Sequence, residues 1–361
     1  MRFHLISLFT LGLVVQGAGA DWMTSGKAPV KSPGALAFAP GGILLLGDSL
    51  GAQVVALDTA DRTPAQSLQD GTQFNGVAEK IGALLGVASN QILVYDTAVN
   101  PISGNVYLSI SRGRGPDAQT LILKMDHDGN FSELALDHIQ YATSRLPDAL
   151  TGDDVSSPNS RMQTITSLQF IDGKVVVAGL SNEEFSSTLR VIPYPFAAGV
   201  AAPVGTGIEI FHTAHGAYET NAPVRTFVPY HVKGEAYILA AYTCTPLVKI
   251  PVSALKAGSQ VAGATIAEMG PANSPLDMIA YRKNGHDYVL IANSARGVVR
   301  LEIDHLDDAP EIVSHNPNTN LPHKRFPEWT RVHQLKKVDE STGLILTDSA
   351  GTLNLRVIAL P

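Results

Sequence analysis

One phrase recurs along this chain and constrains its fold more than any other feature. It is a short apolar strand, a glycine turn, a second apolar strand, a polar loop and a third strand. The first copy reads Leu36-Ala37-Phe38, Gly41-Gly42, Ile43 to Gly47, a loop from Asp48 to Gln53, then Val54 to Leu57. Further copies open at Ala98, Leu168, Phe227, Met278 and Leu335, with turn glycines at Gly104, Gly173, Gly234, Gly285 and Gly343. The copies begin 62, 70, 59, 51 and 57 residues apart, more than the roughly 40 to 50 of familiar propeller repeats. The excess falls after the third strand, where a fourth strand and a variable connection belong. Ile208 to Phe211 and Thr265 to Ala267 fit that fourth strand.

Short β-rich runs at regular spacing, turn glycines and the lack of long amphipathic helices predict an all-β fold built by radial repetition. The expectation is a six-bladed β-propeller over residues 21–361, with Gln73 to Gly86 the one stretch suited to a helix. A shortened β-sandwich is the competing architecture. The last copy ends at Pro361 without a fourth strand, and an open blade edge invites pairing with other chains. The segment Trp22 to Lys31 is the expected donor, which would close the last blade and make first and last blades neighbours. Phrases such as Ala35 to Asp48 followed by Val54 to Asp58 make the chain resemble the six-bladed superfamily of NHL-repeat, senescence-marker-type lactonase and strictosidine-synthase-like proteins. That resemblance implies an architecture and, through its lactonases, a divalent ion held near the central channel.

The first twenty residues read as a leader. Arg2 supplies the positive start, Leu5 to Val15 the apolar stretch, and Ala18-Gly19-Ala20 the small residues of a cleavage site. No segment reaches the roughly 18 uninterrupted apolar residues of a membrane helix. The expectation is therefore an exported protein, secreted or periplasmic, beginning at Asp21. Loss of Arg2 takes the net charge from −7 to −8, and an acidic surface argues against nucleic acid, whose phosphates favour basic patches. Cys244 is the lone cysteine, so no internal disulfide can form, and it reads as a buried structural thiol.

In a propeller the second-to-third-strand loops and the connections between blades open on one face, so scattered residues can converge there. The richest segment runs from His212 to Arg225, with His215, Glu219 and Arg225 as candidate catalytic groups. An imidazole and a carboxylate can share a divalent ion or act as base and orienter. His215, Glu219, Glu183 and His333 are the candidate metal ligands, and His212 is the weaker histidine of its pair. Gly216 and Pro223 break any helix there, which disfavours an HExxH zinc protease. First-strand starts are polar too: Asp96-Thr97, Thr166-Ser167, Arg225-Thr226, Asp277 and His333-Gln334. Register leaves open which member of each pair faces the channel. Asp48 and Asp348 occupy the same position in the first and last copies. The chain lacks a G-x-S-x-G elbow and a Walker A sequence.

Two functions follow. One is a divalent-metal-assisted site for a small polar ligand such as an ester, lactone or sugar derivative, of small-ligand-binding or hydrolase type. The other is a non-catalytic scaffold presenting its loop face to a partner protein or an envelope polymer. The leader makes its own prediction: mass spectrometry of protein recovered outside the cytoplasm should show an N-terminus at Asp21, and a retained Met1 there would overturn it.

Overall fold

The computed structural model describes residues 21–115, 117–151, 160–244, 246–315 and 321–361. The expected leader, residues 1–20, lies outside them. The chain enters through β1 (Thr24–Gly26) and runs outward through β2 (Leu36–Ala39), β3 (Ile43–Asp48) and β4 (Gln53–Asp58). It then leaves that sheet for β5 (Gln73–Phe74) and the helix α1 (Val77–Leu85). A second sheet follows: β6 (Ile92–Val99), β7 (Val106–Arg112), β8 (Gln119–Met125) and β9 (Phe131–Glu133). Next, β10 (Ile139–Arg145) returns to the first sheet and pairs with β4.

The rest is laid down in order. It comprises β11 (Ser167–Ile171), β12 (Lys174–Leu180), β13 (Ser187–Pro193) and β14 (Thr206–His212), with β15 (Ala217–Glu219) folded back on β14. Then come β16 (Val224–Val232), β17 (Glu235–Tyr242), β18 (Pro246–Pro251) and β19 (Gln260–Glu268). They are followed by β20 (Pro275–Lys283), β21 (His286–Asn293), β22 (Gly297–Glu302) and β23 (His323–Phe326). The last are β24 (Val332–Lys337), β25 (Thr342–Ser349) and β26 (Thr352–Ala359). The segments foreseen as fourth strands fall within β14 and β19, and these two also pair in parallel, Gly207 with Gln260 through Ile210 with Gly263.

Packing between the sheets is cyclic. The inner strands meet in the order β2, β6, β24, β20, β16, β11 and back to β2. Hydrophobic clusters fill the gaps: Leu45 and Leu168 in one, Val176 and Phe227 in the next, then Leu239 and Met278, Leu290 and Leu335. Leu346 and Leu108, and Tyr107 and Leu46, close the circle. Middle strands are thus covered on both faces, which is why β3 is buried along its whole length and reads as a continuous apolar run rather than an alternating one. The fold is all-β and propeller-like.

Two sequence expectations are corrected. The N-terminal strand does not close the last sheet. The outer partner of β26 is β5, with Leu355 opposite Phe74 and Arg356 opposite Gln73, while β1 pairs with β10 at the rim of the first sheet. The physical reason is burial. Phe74 delivers a ring to the cluster between the second and last sheets, and α1 adds Val77 and Ile81, both fully buried. By contrast β1 is Thr-Ser-Gly, with no apolar side chain to bury. Nor do the first and last sheets touch through their inner strands, since β6 lies between β2 and β24. Asp48 and Asp348 therefore do not meet across a junction; each accepts a turn N–H, from Gly51 at 2.9 Å and from Gly351 at 2.8 Å. The helix expected within Gln73 to Gly86 occupies its second half, after the two residues of β5.

Closure by β5 predicts an asymmetry. Phe74→Ala should cost about 3–5 kcal/mol in chemical denaturation, as expected for a buried aromatic. Ser25→Ala on β1 should stay within about 0.5 kcal/mol. Equal effects would contradict the assignment of the closing strand.

Candidate functional site

All of the inner strands contribute to one cavity of about 440 Å³. Its walls include Leu36 from β2, Tyr95 and Asp96 from β6, Gln169 from β11, Arg225 and Thr226 from β16, Asp277 from β20, and His333 and Lys336 from β24. Ser49, from the loop after β3, joins them. The cavity thus opens on the face where the second-to-third-strand loops lie.

A shared backbone irregularity aims these residues inward. The ladder between β6 and β7 skips Tyr95, that between β16 and β17 skips Arg225, that between β20 and β21 skips Leu276, and that between β24 and β25 skips His333. A bulge inserts one unpaired residue and turns the side chains around it. Strict alternation would send one member of each pair away from the channel; with the bulge, both members line it. Tyr95 with Asp96, Arg225 with Thr226, Leu276 with Asp277, and His333 with Gln334 all do so.

The cavity floor is a three-charge network. Lys336 Nζ lies 2.8 Å from Asp96 Oδ1 and 2.9 Å from Asp277 Oδ2. The backbone N–H of Leu36 donates to Asp96 at 2.8 Å, and that of Leu335 to Asp277 at 2.9 Å. Burial pushes the Asp277 carboxyl above its ordinary range, with Asp96 adding to the effect and Lys336 opposing it. Burial works against charge on Lys336 too, but the two carboxylates outweigh it and hold its ammonium above the usual lysine range. Beyond this floor, Leu36, Gln169 and Lys336 also line a second cavity of about 260 Å³, whose other walls include Phe38, Val228, Met278 and Leu335. A polar mouth and an apolar rear are therefore separated by a lysine.

The candidate residues divide into groups. Arg225 and His333 line the cavity, both exposed, and neither makes an ion pair or side-chain hydrogen bond among the described residues. His215 and Glu219 do not line it. They sit on the β14–β15 hairpin, where the Glu219 carboxylate bridges two imidazoles: Oε2 lies 2.7 Å from His212 Nδ1, and Oε1 bonds His215 Nδ1. Burial would raise the Glu219 pKa, but the bonds from His215 and His212 outweigh it and leave it lowered. Glu183 is exposed on the loop after β12, its backbone N–H 3.4 Å from Ser181 Oγ. No described contact joins it to His215, Glu219 or His333. Lys336 was not singled out from the sequence. The strand reads Val-His-Gln-Leu-Lys-Lys, so Lys336 stands beside a second lysine in a mostly polar run, and no signal in the residue pattern marks it as the buried one.

The chain is thus an all-β, propeller-like protein with a polar cavity bounded by its inner strands. No protein-family model and no curated protein matches it. Among solved structures, it is similar to the PQQ-bound form of an aldose sugar dehydrogenase from Streptomyces coelicolor. The identity is 13% over 92% of this chain and 96% of that one, with a TM-score of 0.34. A glucose dehydrogenase is similar at 13% identity, over 94% and 99% of the two chains, with a TM-score of 0.39. The apo-form of the soluble aldose sugar dehydrogenase from Escherichia coli gives 14%, 94%, 99% and 0.31. Likeness at this level transfers no chemistry, and the fold assignment rests on the strand pairing itself.

Lys336→Met tests the floor. Removing one partner of a buried charge cluster costs about 3–5 kcal/mol. In the variant, Asp96 and Asp277 share a poorly hydrated site without a cation, so one carboxyl has a folded pKa above its unfolded value. Stability from such a group is complete below the unfolded pKa and is lost as pH rises through the folded one. The deficit relative to the parent should therefore be larger at pH 7 than at pH 5 in urea denaturation; a pH-independent deficit would contradict the network.

Proposed function

We propose that the chain is a single-domain, six-bladed β-propeller that binds a small polar ligand through an anionic group in the cavity between its inner strands. The blade count is supported by the closed cycle of inner strands and by the clusters that fill each gap. The observation that carries the ligand reading is the pair Arg225 and His333. Both are raised into the cavity by bulges; Arg225 makes no ion pair or side-chain hydrogen bond among the described residues, and His333 has the Asp348 carboxylate as a charged neighbour. A guanidinium presents a planar fork of donors suited to a carboxylate or phosphate. The Asp96 and Asp277 carboxyl groups of the Lys336 network beneath it can take the hydroxyl or amine donors of the same ligand.

In its narrower form the reading makes the protein a hydrolase for an ester or lactone, with His333 the imidazole placed to act as base. The leader supports an exported, secreted or periplasmic setting. Among the described residues no helix is long and apolar enough to cross a membrane.

A panel of small hydroxycarboxylates and phosphate monoesters, screened by ligand-observed NMR and thermal shift, tests the site. At least one should bind the parent, and Arg225→Ala should weaken it about tenfold or more, the scale of a charge-assisted hydrogen bond. The unliganded variant should melt within a degree or two of the parent, because Arg225 is exposed. Unchanged affinities in Arg225→Ala and His333→Ala would sink the proposal and leave the loop face as a surface for a partner protein or polymer.

A further inference from the structure

The β14–β15 hairpin and the loop between β17 and β18 bring together a ligand set distinct from the central cavity. One ring nitrogen of His212, one of His215 and the Cys244 thiol all lie within 4.8 Å of one another. The local fold explains the pairing. After β14 the chain makes one tight turn, with the N–H groups of His215 and Gly216 donating to His212 O at 3.1 and 2.9 Å. Residues three apart on such a turn share a face, and the two imidazole centroids stand 4.1 Å apart. Thr213 fixes the turn from below: its hydroxyl bonds Glu268, and its carbonyl oxygen is 2.8 Å from His315 Nδ1. Across the gap, the Cys244 N–H donates to Asn273 O at 2.8 Å, which holds the thiol's own loop.

A hydrogen-bonded staple leaves one buried ring nitrogen without a partner. Glu219 takes the Nδ1 side of both rings, so each imidazole is held with Nε2 free to donate a lone pair. His212 is 3% exposed, and its Nε2 is buried with no hydrogen-bond partner. An orphaned buried nitrogen is costly and calls for an occupant. A carboxylate behind a histidine is the arrangement that orients imidazoles toward a metal and raises their basicity.

We propose that His212 Nε2, His215 Nε2 and the Cys244 thiolate bind one borderline-soft divalent transition ion of the zinc type, with Glu219 as the positioning residue for both histidines. Two imidazoles and a thiolate select such an ion over calcium or magnesium, which prefer oxygen. Coordination exchanges the thiol proton, released to solvent, for a sulfur–metal bond. Among the described residues no fourth His, Cys, Asp or Glu joins the group, so the remaining position is open to water or an incoming ligand on the exposed His215 side. The ion would also tie the β14–β15 hairpin to the loop between β17 and β18. The other cluster of this kind, His286, Glu302 and Asp304, is exposed to half-exposed, and its imidazole Nδ1 is taken by Asp304 at 2.5 Å; it serves as the control.

The test uses the full mature chain, reduced and stripped by a chelator, titrated with Zn²⁺ against a chromophoric competitor and separately with Co²⁺. The expected result is one equivalent of Zn²⁺, a Zn²⁺-dependent rise in melting temperature, and a thiolate-to-cobalt charge-transfer band. Cys244→Ser should abolish that band and weaken Zn²⁺ by about a hundredfold or more. Glu219→Gln should keep the band and lose about 10–100-fold in affinity, and His286→Ala should change neither. If His212→Asn fails to fold, Cys244→Ser still decides. A parent that takes up no stoichiometric Zn²⁺, or a Cys244→Ser protein with parental affinity, overturns the site whatever the central cavity binds.

Discussion

Lys336 is the point through which the inner strands are tied together. Its ammonium joins Asp96 of β6 to Asp277 of β20 from a position on β24 between them. The carboxylates reach further: Asp96 accepts from the Leu36 N–H of β2, and Asp277 has the Thr226 hydroxyl of β16 at 3.5 Å. Five of the inner strands thus share one charge network, where no ion is cheap to bury alone and Lys336 holds together two carboxylates that repel each other. The network divides the channel, leaving polar groups toward the loop face and Phe38, Met278 and Leu335 toward the other. Water and a polar ligand can use one side, while the apolar side needs neither.

The bulges at Tyr95, Arg225, Leu276 and His333 complement this floor. A regular strand can offer only every second side chain to the channel, and the next would be pressed into the neighbouring sheet. One inserted residue at the mouth doubles the side chains available there without disturbing the apolar stretch that follows. The same device recurs in four inner strands, which explains how a repeat built for packing also makes a cavity.

The path of the chain adds a second kind of closure. The fourth strand of the first sheet, β10, arrives only after the second sheet is complete, and the outer strand of the last sheet, β5, is laid down before it. Each is separated from its partner by long stretches of chain, so both sheets are completed by non-local pairing. Such non-local pairing is slow to form, but it leaves the ring without a seam that a single terminal strand could open.

The repeat phrase, the apolar middle strands and the turn glycines were legible from the sequence, because burial on both faces and tight turns restrict local residue choice. So were the hairpin segment around His215 and Glu219 and the polar strand starts, since clustered titratable residues stand out against apolar runs. Which sheets became neighbours was decided by tertiary structure alone: Phe74 had a deeper place to bury than any side chain of β1. The same holds for the division of the candidate residues into two sites. Arg225 and His333 reach the cavity through bulges that leave no mark in the residue pattern. Cys244 meets His212 only because loops of adjacent sheets open on the same face. Local chemistry selects the strands and turns, but the register and neighbours of a strand are collective properties, set by whichever arrangement covers the most apolar surface while pairing every buried charge.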